Sequence, residues 1–254
     1  MKKEILDGVR NYRFLIIFFA LLFFAVLDPV MTKYILPEIL KSQFDGMTPE
    51  MMAQMVDMTQ RGAIVSYLGD AKEISSIVIV FVLSGLLARE LTEKTLILPI
   101  CSGKKFTEIV LSKIVVFGAF TMFTAIFTGF INFFYASILF TMDITSIWII
   151  LKSSLIMGIM LMFMISIILL TGVFVRKAIV SGLLTLGFIY LQGIIGGLFI
   201  INQYLPTGLY SEMLLLTETI SKEAWISLTI TILLSVTFTS LSIIRLRKME
   251  IAFR

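Results

Sequence analysis

The chain has 254 residues, 58% of them hydrophobic and 15% charged, with a formal net charge of +4 and a mean hydropathy of +1.01. Those values exclude an ordinary soluble domain and indicate an all-α polytopic membrane protein. One cysteine and no histidine argue against a disulfide scaffold and against zinc or haem, so no metal site is expected. The positive charge suits anionic lipid, and no basic patch interleaved with aromatics suggests nucleic acid as a partner.

Residues 1–13, MKKEILDGVRNYR, place Ile5, Leu6 and Val9 on one apolar helical face, with Lys2, Lys3, Arg10 and Arg13 free for lipid headgroups. This pattern predicts an interfacial elbow helix. No small-x-small cleavage site follows, so the membrane segment is expected to be retained. The first span, TM1, is read as 14–36. Its unbroken apolar part, Phe14 to Leu27, covers only about 21 Å of a core about 30 Å thick, so the helix must run on past Asp28 and Pro29. Asp28 is either a cation contact or a carboxylate at the outer interface.

An outer loop is expected over 41–69. Within it Thr48-Pro49-Glu50 resembles a helix start, followed by Met47, Met51, Met55 and Met58 on one face. Such a stripe suits packing against lipid or neighbouring helices, with Cu(I) binding as the sharper alternative. TM2 is read at 74–88, TM3 at 114–140, TM4 at 147–175, TM5 at 178–201 and TM6 at 224–244, with a basic tail at 245–254. Arg176 and Lys177 form a short turn, and Pro206-Thr207-Gly208 breaks the loop before TM6. On this topology only Lys33, Lys41, Arg61, Lys72, Lys152 and Lys222 lie outside, leaving 15 of 21 basic residues inside. Both termini are therefore expected in the cytoplasm.

The segment 89–113, RELTEKTLILPICSGKKFTEIVLSK, carries five of those basic residues. It is too polar to span a bilayer. The run from Thr92 predicts one or two helical turns ended by Pro99, a short cytoplasmic helix suited to docking a soluble partner.

Spans two to six carry no ionisable side chain at mid-depth on this reading, which disfavours a proton- or sodium-driven carrier. Without histidine or paired carboxylates, an intramembrane protease or metal-dependent lipid transferase is also disfavoured. The only Gly-Lys, Gly103-Lys104, is followed by Lys105 and preceded five positions earlier by Leu98, so no phosphate-binding loop is present. The chain is not expected to be an enzyme by itself, and any ATP and Mg belong to a partner subunit.

In Glu90, Thr95, Leu96, Leu111 and Lys113, and in the basic tail RLRKMEIAFR, the chain resembles ABC-2 type exporter permeases. Lys94 stands where that family usually has Gly, and Gly103 where Pro is common. The resemblance implies an elbow helix, six spans, cytoplasmic termini and a coupling helix between spans two and three. It further implies that Glu90, Glu93, Lys94, Thr95 and Leu96 contact a cytoplasmic ABC ATPase, with a second permease copy completing the complex in the bacterial plasma membrane.

Two other patterns bear on this reading. Thr121, Thr124, Thr128 and Asn132 form one polar stripe on TM3, either a substrate path together with Gln192 or a set of interhelical hydrogen bonds. Gly193 and Gly197 form a G-x-x-x-G in TM5, either a dimer face or packing within one chain. The function expected is export of a drug, antimicrobial peptide or other small amphipathic substrate. An ATP-independent membrane scaffold, then a secondary transporter, are the alternatives.

Overall fold

In the computed structural model, which describes residues 1–43, 57–142, 144, 146–199 and 201–251, the apolar runs are helices throughout, as a backbone with no water to bond requires. The chain is 86% helical, with no strand among the described residues. Six stretches are long and apolar enough to cross a membrane: Arg13–Ser42, Gln60–Thr92, Phe106–Leu139, Ile147–Val175, Ala178–Leu198 and Lys222–Met249. The chain reads as a multi-pass membrane protein.

A short helix, α1 (Lys2–Arg10), precedes α2 (Arg13–Val30), and Tyr12 makes the turn between them at φ 54°. α2 passes through a π-helical turn, Met31–Ile35, into α3 (Leu36–Gln43). The second span is α4 (Gln60–Leu83) continued by α5 (Gly85–Thr92), and a one-turn helix, α6 (Ile97–Cys101), follows. The long helices α7 (Phe106–Leu139), α8 (Ile147–Val175), α9 (Ala178–Leu198) and α11 (Lys222–Ile251) supply the rest. Between the last two lie a 3-10 turn, Asn202–Tyr204, and α10 (Gly208–Leu215).

α8 is the centre of the bundle. In its most apolar window 67% of residues are buried, against 17% for α9, which leaves α9 facing outward. Small residues bring α7 against α8: a Cβ on Gly129 would lie 2.1 Å from the Ser154 hydroxyl, and one on Gly158 would lie 2.9 Å from Met122. α2 packs on α4 and α7, and the Pro29 in α2 shapes that contact. Proline has no N–H, so the carbonyl of Ala25 loses its helical donor. Asn132 on α7 supplies one, Nδ2 to the Ala25 oxygen at 3.0 Å.

Both ends of the chain meet at one end of the bundle. Lys3 reaches Glu90 at 2.8 Å, the Thr92 hydroxyl donates to the Arg176 carbonyl, and Arg176 contacts the Met249 sulfur at 2.9 Å. At the opposite end Gln60 donates to the Ser137 hydroxyl at 2.7 Å and accepts from the Ile144 N–H at 2.9 Å.

Three expected boundaries shift. The second span begins at Gln60 rather than residue 74, because Asp70, Lys72 and Glu73 stay helical: Lys72 pairs with Glu73 at 3.7 Å and lies over the Tyr210 ring at 4.1 Å. The third begins at Phe106 rather than 114, because Lys113 is neutralised inside the protein. Pro99 does not end a helix; it sits in the first turn of α6, where its missing N–H costs nothing. The Thr48-Pro49-Glu50 start and Met47, Met51 and Met55 lie outside the described residues, and Met58 precedes the Thr59 cap of α4.

Candidate functional site

At the terminal end, the amphipathic helix α1 lays its polar face on the bundle and leaves its apolar face outside. Ile5, Leu6 and Val9 are exposed, while Glu4 and Gly8 face the protein. A Cβ on Gly8 would lie 2.4 Å from the Phe14 ring, so only glycine lets α1 lie this close. Its polar face then meets α5 and α7. Lys113, fully buried on α7, places Nζ 2.8 Å from Glu4 and 2.9 Å from Glu90, and Lys3 closes the set at 2.8 Å from Glu90. The Lys113 contact to Glu90 Oε2 is an ion pair without a directed hydrogen bond.

Two cations and two carboxylates make this cluster neutral, the condition under which buried charge is tolerated. Burial works against the Lys3 ammonium, but the hydrogen bond to Glu90 and the charges of Glu90, Glu4 and Asp7 outweigh it and raise its pKa above that of an ordinary lysine. Arg13, expected at the headgroups, instead pairs with Asp7, which also accepts from Asn11 at 2.6 Å. Beside the cluster lies a cavity of about 620 Å³ lined by Lys3, Arg13, Arg89, Glu90, Glu93 and Lys104 among others.

The cluster anchors the segment expected to dock a partner, and within the chain its residues divide into two sets. Glu90 is committed to Lys3 and Lys113, and Leu96 is buried in the core, so neither is offered outward. Glu93, Lys94 and Thr95 are exposed, and Lys94 turns the chain at φ 56°. After them α6 projects Ile97, 53% exposed, and Leu98, 77% exposed. Those two apolar side chains lie outside the six membrane-length helices, and the sequence pattern did not single them out.

The α7 stripe is brought together, but not around an open path. Thr121, Thr124, Thr128 and Asn132 are all fully buried. The threonines donate to carbonyls one turn back in their own helix, and Thr128 also pairs with Tyr67 at 2.7 Å. With Asn132 bound to Ala25, the stripe serves helix packing. Gln192 is apart from it on α9, beside a small cavity of about 90 Å³ with Lys72 and Thr207. Gly193 and Gly197 make no close helix contact within the chain: a Cβ on Gly197 would meet nothing within 4 Å.

Two polar groupings were missed. Lys152 on α8 bonds Glu212 of α10 at 3.2 Å, the Thr217 hydroxyl at 3.1 Å and the Thr219 carbonyl at 3.2 Å, while Glu212 accepts from the Ser221 hydroxyl at 2.8 Å. This knot fixes the loop between α9 and α11 to the bundle. Asp70, which the sequence placed in neither the outer loop nor TM2, sits half-buried on α4 facing Asp28. A hydrophobic window broken by charge hid both; the i, i+4 pair Glu4 and Gly8 was the legible signal for the terminal cluster. Outside the membrane-length helices, burial first and then Glu73 and Asp70 raise the pKa of the Tyr210 phenol.

Among the described residues no group of three or more His, Cys, Asp or Glu side chains could hold a metal, and Cys101 is free and exposed. Compared with protein-family models, curated proteins and solved structures, the chain matches none of them.

Proposed function

We propose that this chain is the permease subunit of an ATP-driven exporter of the ABC-2 type, seated in the cell membrane with its terminal end in the cytoplasm. α1 is then the elbow helix at the inner surface, its exposed Ile5, Leu6 and Val9 in lipid. The segment from Glu93 to Leu98 is the coupling element received by a separate ABC ATPase, which carries the ATP and Mg. A second permease copy packs on the outward face of α9 at Gly193 and Gly197, and a drug, antimicrobial peptide or other small amphipathic substrate leaves between the two copies past Gln192.

The observation that supports this reading is α6. Ile97 and Leu98 are exposed side by side among Lys94, Lys104 and Lys105, an apolar contact that a partner with a matching groove would cover. The buried ion cluster behind them gives the segment a stiff mount. A push on α6 would pass through Glu90 and Lys113 into α7, and through Glu4 into α1.

The test is affinity purification of the full-length chain from its native membranes in mild detergent, with the retained proteins searched for one carrying a Walker A motif, followed by ATPase measurements. The intact chain is expected to retain that protein, and Leu98→Asp with Ile97→Asp to release it while the six helices stay folded. If no ATPase is retained with or without nucleotide, the exporter reading fails and a membrane scaffold takes its place.

A further inference from the structure

Asp28 stands midway along the helical stretch Arg13–Ser42, and the export mechanism above makes no use of it. Its carboxyl is buried and lies within hydrogen-bonding reach of Asp70 on α4. Among the described residues no lysine or arginine is paired with either acid. Lys33 donates to the Leu139 carbonyl, Lys72 is engaged by Glu73 and the Tyr210 ring, and α7 brings only the neutral Thr128 and Asn132 to this level. Tyr210 and Glu73 flank Asp70 on its other side. Two facing carboxyls with no basic partner are held together by a shared proton or by a cation between them.

Two buried oxygen acceptors here have no donor, Asp28 Oδ2 and, from a group that is not an acid, Asn132 Oδ1. The orientation of the Asn132 amide is fixed by its other end, since Nδ2 must face the Ala25 carbonyl that Pro29 leaves free, one turn before Asp28. A proton shared by the two acids would leave Asn132 Oδ1 unmet, whereas a small hard cation satisfies acceptor oxygens together. Tyr67, hydrogen-bonded to Thr128, is close enough to Asp28 to sense its charge. The π-helical turn Met31–Ile35 follows at once, an irregularity that recurs at functional sites.

We propose that Asp28, Asp70 and Asn132, with Tyr67 beside them, form a site for a single monovalent cation, Na⁺, where α2, α4 and α7 meet. The oxygen set is small, two carboxyls and two neutral groups, whereas Ca²⁺ takes about six to eight oxygen ligands. Protons compete for the same carboxylates. The site lies within one chain and stands whether or not an ATPase partner exists.

The experiment is equilibrium binding of radioactive Na⁺ to the purified full-length protein in detergent, with choline chloride holding ionic strength constant. The intact chain is expected to saturate near a single Na⁺, with affinity falling roughly tenfold or more as protons take the acids at low pH. Asp28→Asn, close in shape, is expected to lose that binding, and Glu38→Gln, an exposed acid on α3, to keep it. As a second measurement on the unaltered chain, saturating Na⁺ should raise the unfolding midpoint by about 3 °C or more over choline. Binding no greater than the choline background, or an Asp28→Asn chain that binds like the intact one, overturns the proposal.

Discussion

Replacing Lys113 with methionine tests whether the terminal cluster holds the molecule together. Nζ of Lys113 lies 2.8 Å from Glu4 and 2.9 Å from Glu90. At an effective dielectric constant of about 20 each contact carries roughly 6 kcal/mol of gross attraction, set against a desolvation cost of several kcal/mol for each buried ion. The intact cluster therefore contributes little net stability. Removing only its central cation is another matter, because Glu4 stays buried without a partner and Glu90 keeps only Lys3. Breaking a buried pair in this way costs about 3–5 kcal/mol.

The double variant Lys113→Met with Glu4→Gln removes one charge of each sign and leaves Lys3 and Glu90 as a neutral pair. It is expected to recover about 2 kcal/mol or more of that loss. The assay is unfolding in mixed micelles by denaturant titration for the intact chain, both single variants and the double. A loss for Lys113→Met under about 1 kcal/mol, as for an exposed pair, or strictly additive single effects, would refute the reasoning. Either result would mean that water reaches the cluster.

Lys152→Met is expected to strand Glu212 and free α10 from α8, at a cost of about 3–5 kcal/mol, read as faster proteolysis between residues 202 and 221 with the other helices intact. Gly129→Val should prevent α7 from packing on α8, because the added carbon falls on the Ser154 hydroxyl. Gly197→Ala, by contrast, should leave the folded monomer unchanged and act only on association between copies, as measured by crosslinking in membranes.

Much of the fold was legible because a bilayer accepts so few structures. Six long apolar runs in a chain without strand signals fit six helices. Boundaries were less legible, since hydropathy averages a window and cannot tell a solvated charge from a neutralised one. Asp70, Lys72 and Glu73 looked too polar for a span and are helix; Lys113 looked like the end of a cytoplasmic segment and is fully buried.

The candidate site divides along the same line. Reading residues in order was enough to find the polar segment at 89–113 that interrupts the apolar runs. Only the tertiary structure decided that Glu90 and Leu96 turn inward while Ile97 and Leu98 turn out, that the α7 threonines fill a core, and that Asp28 faces Asp70. The physical reason is that periodicity along one helix fixes which residues share a face, whereas the neighbour a face meets depends on contacts between residues as distant in sequence as Glu4 and Lys113.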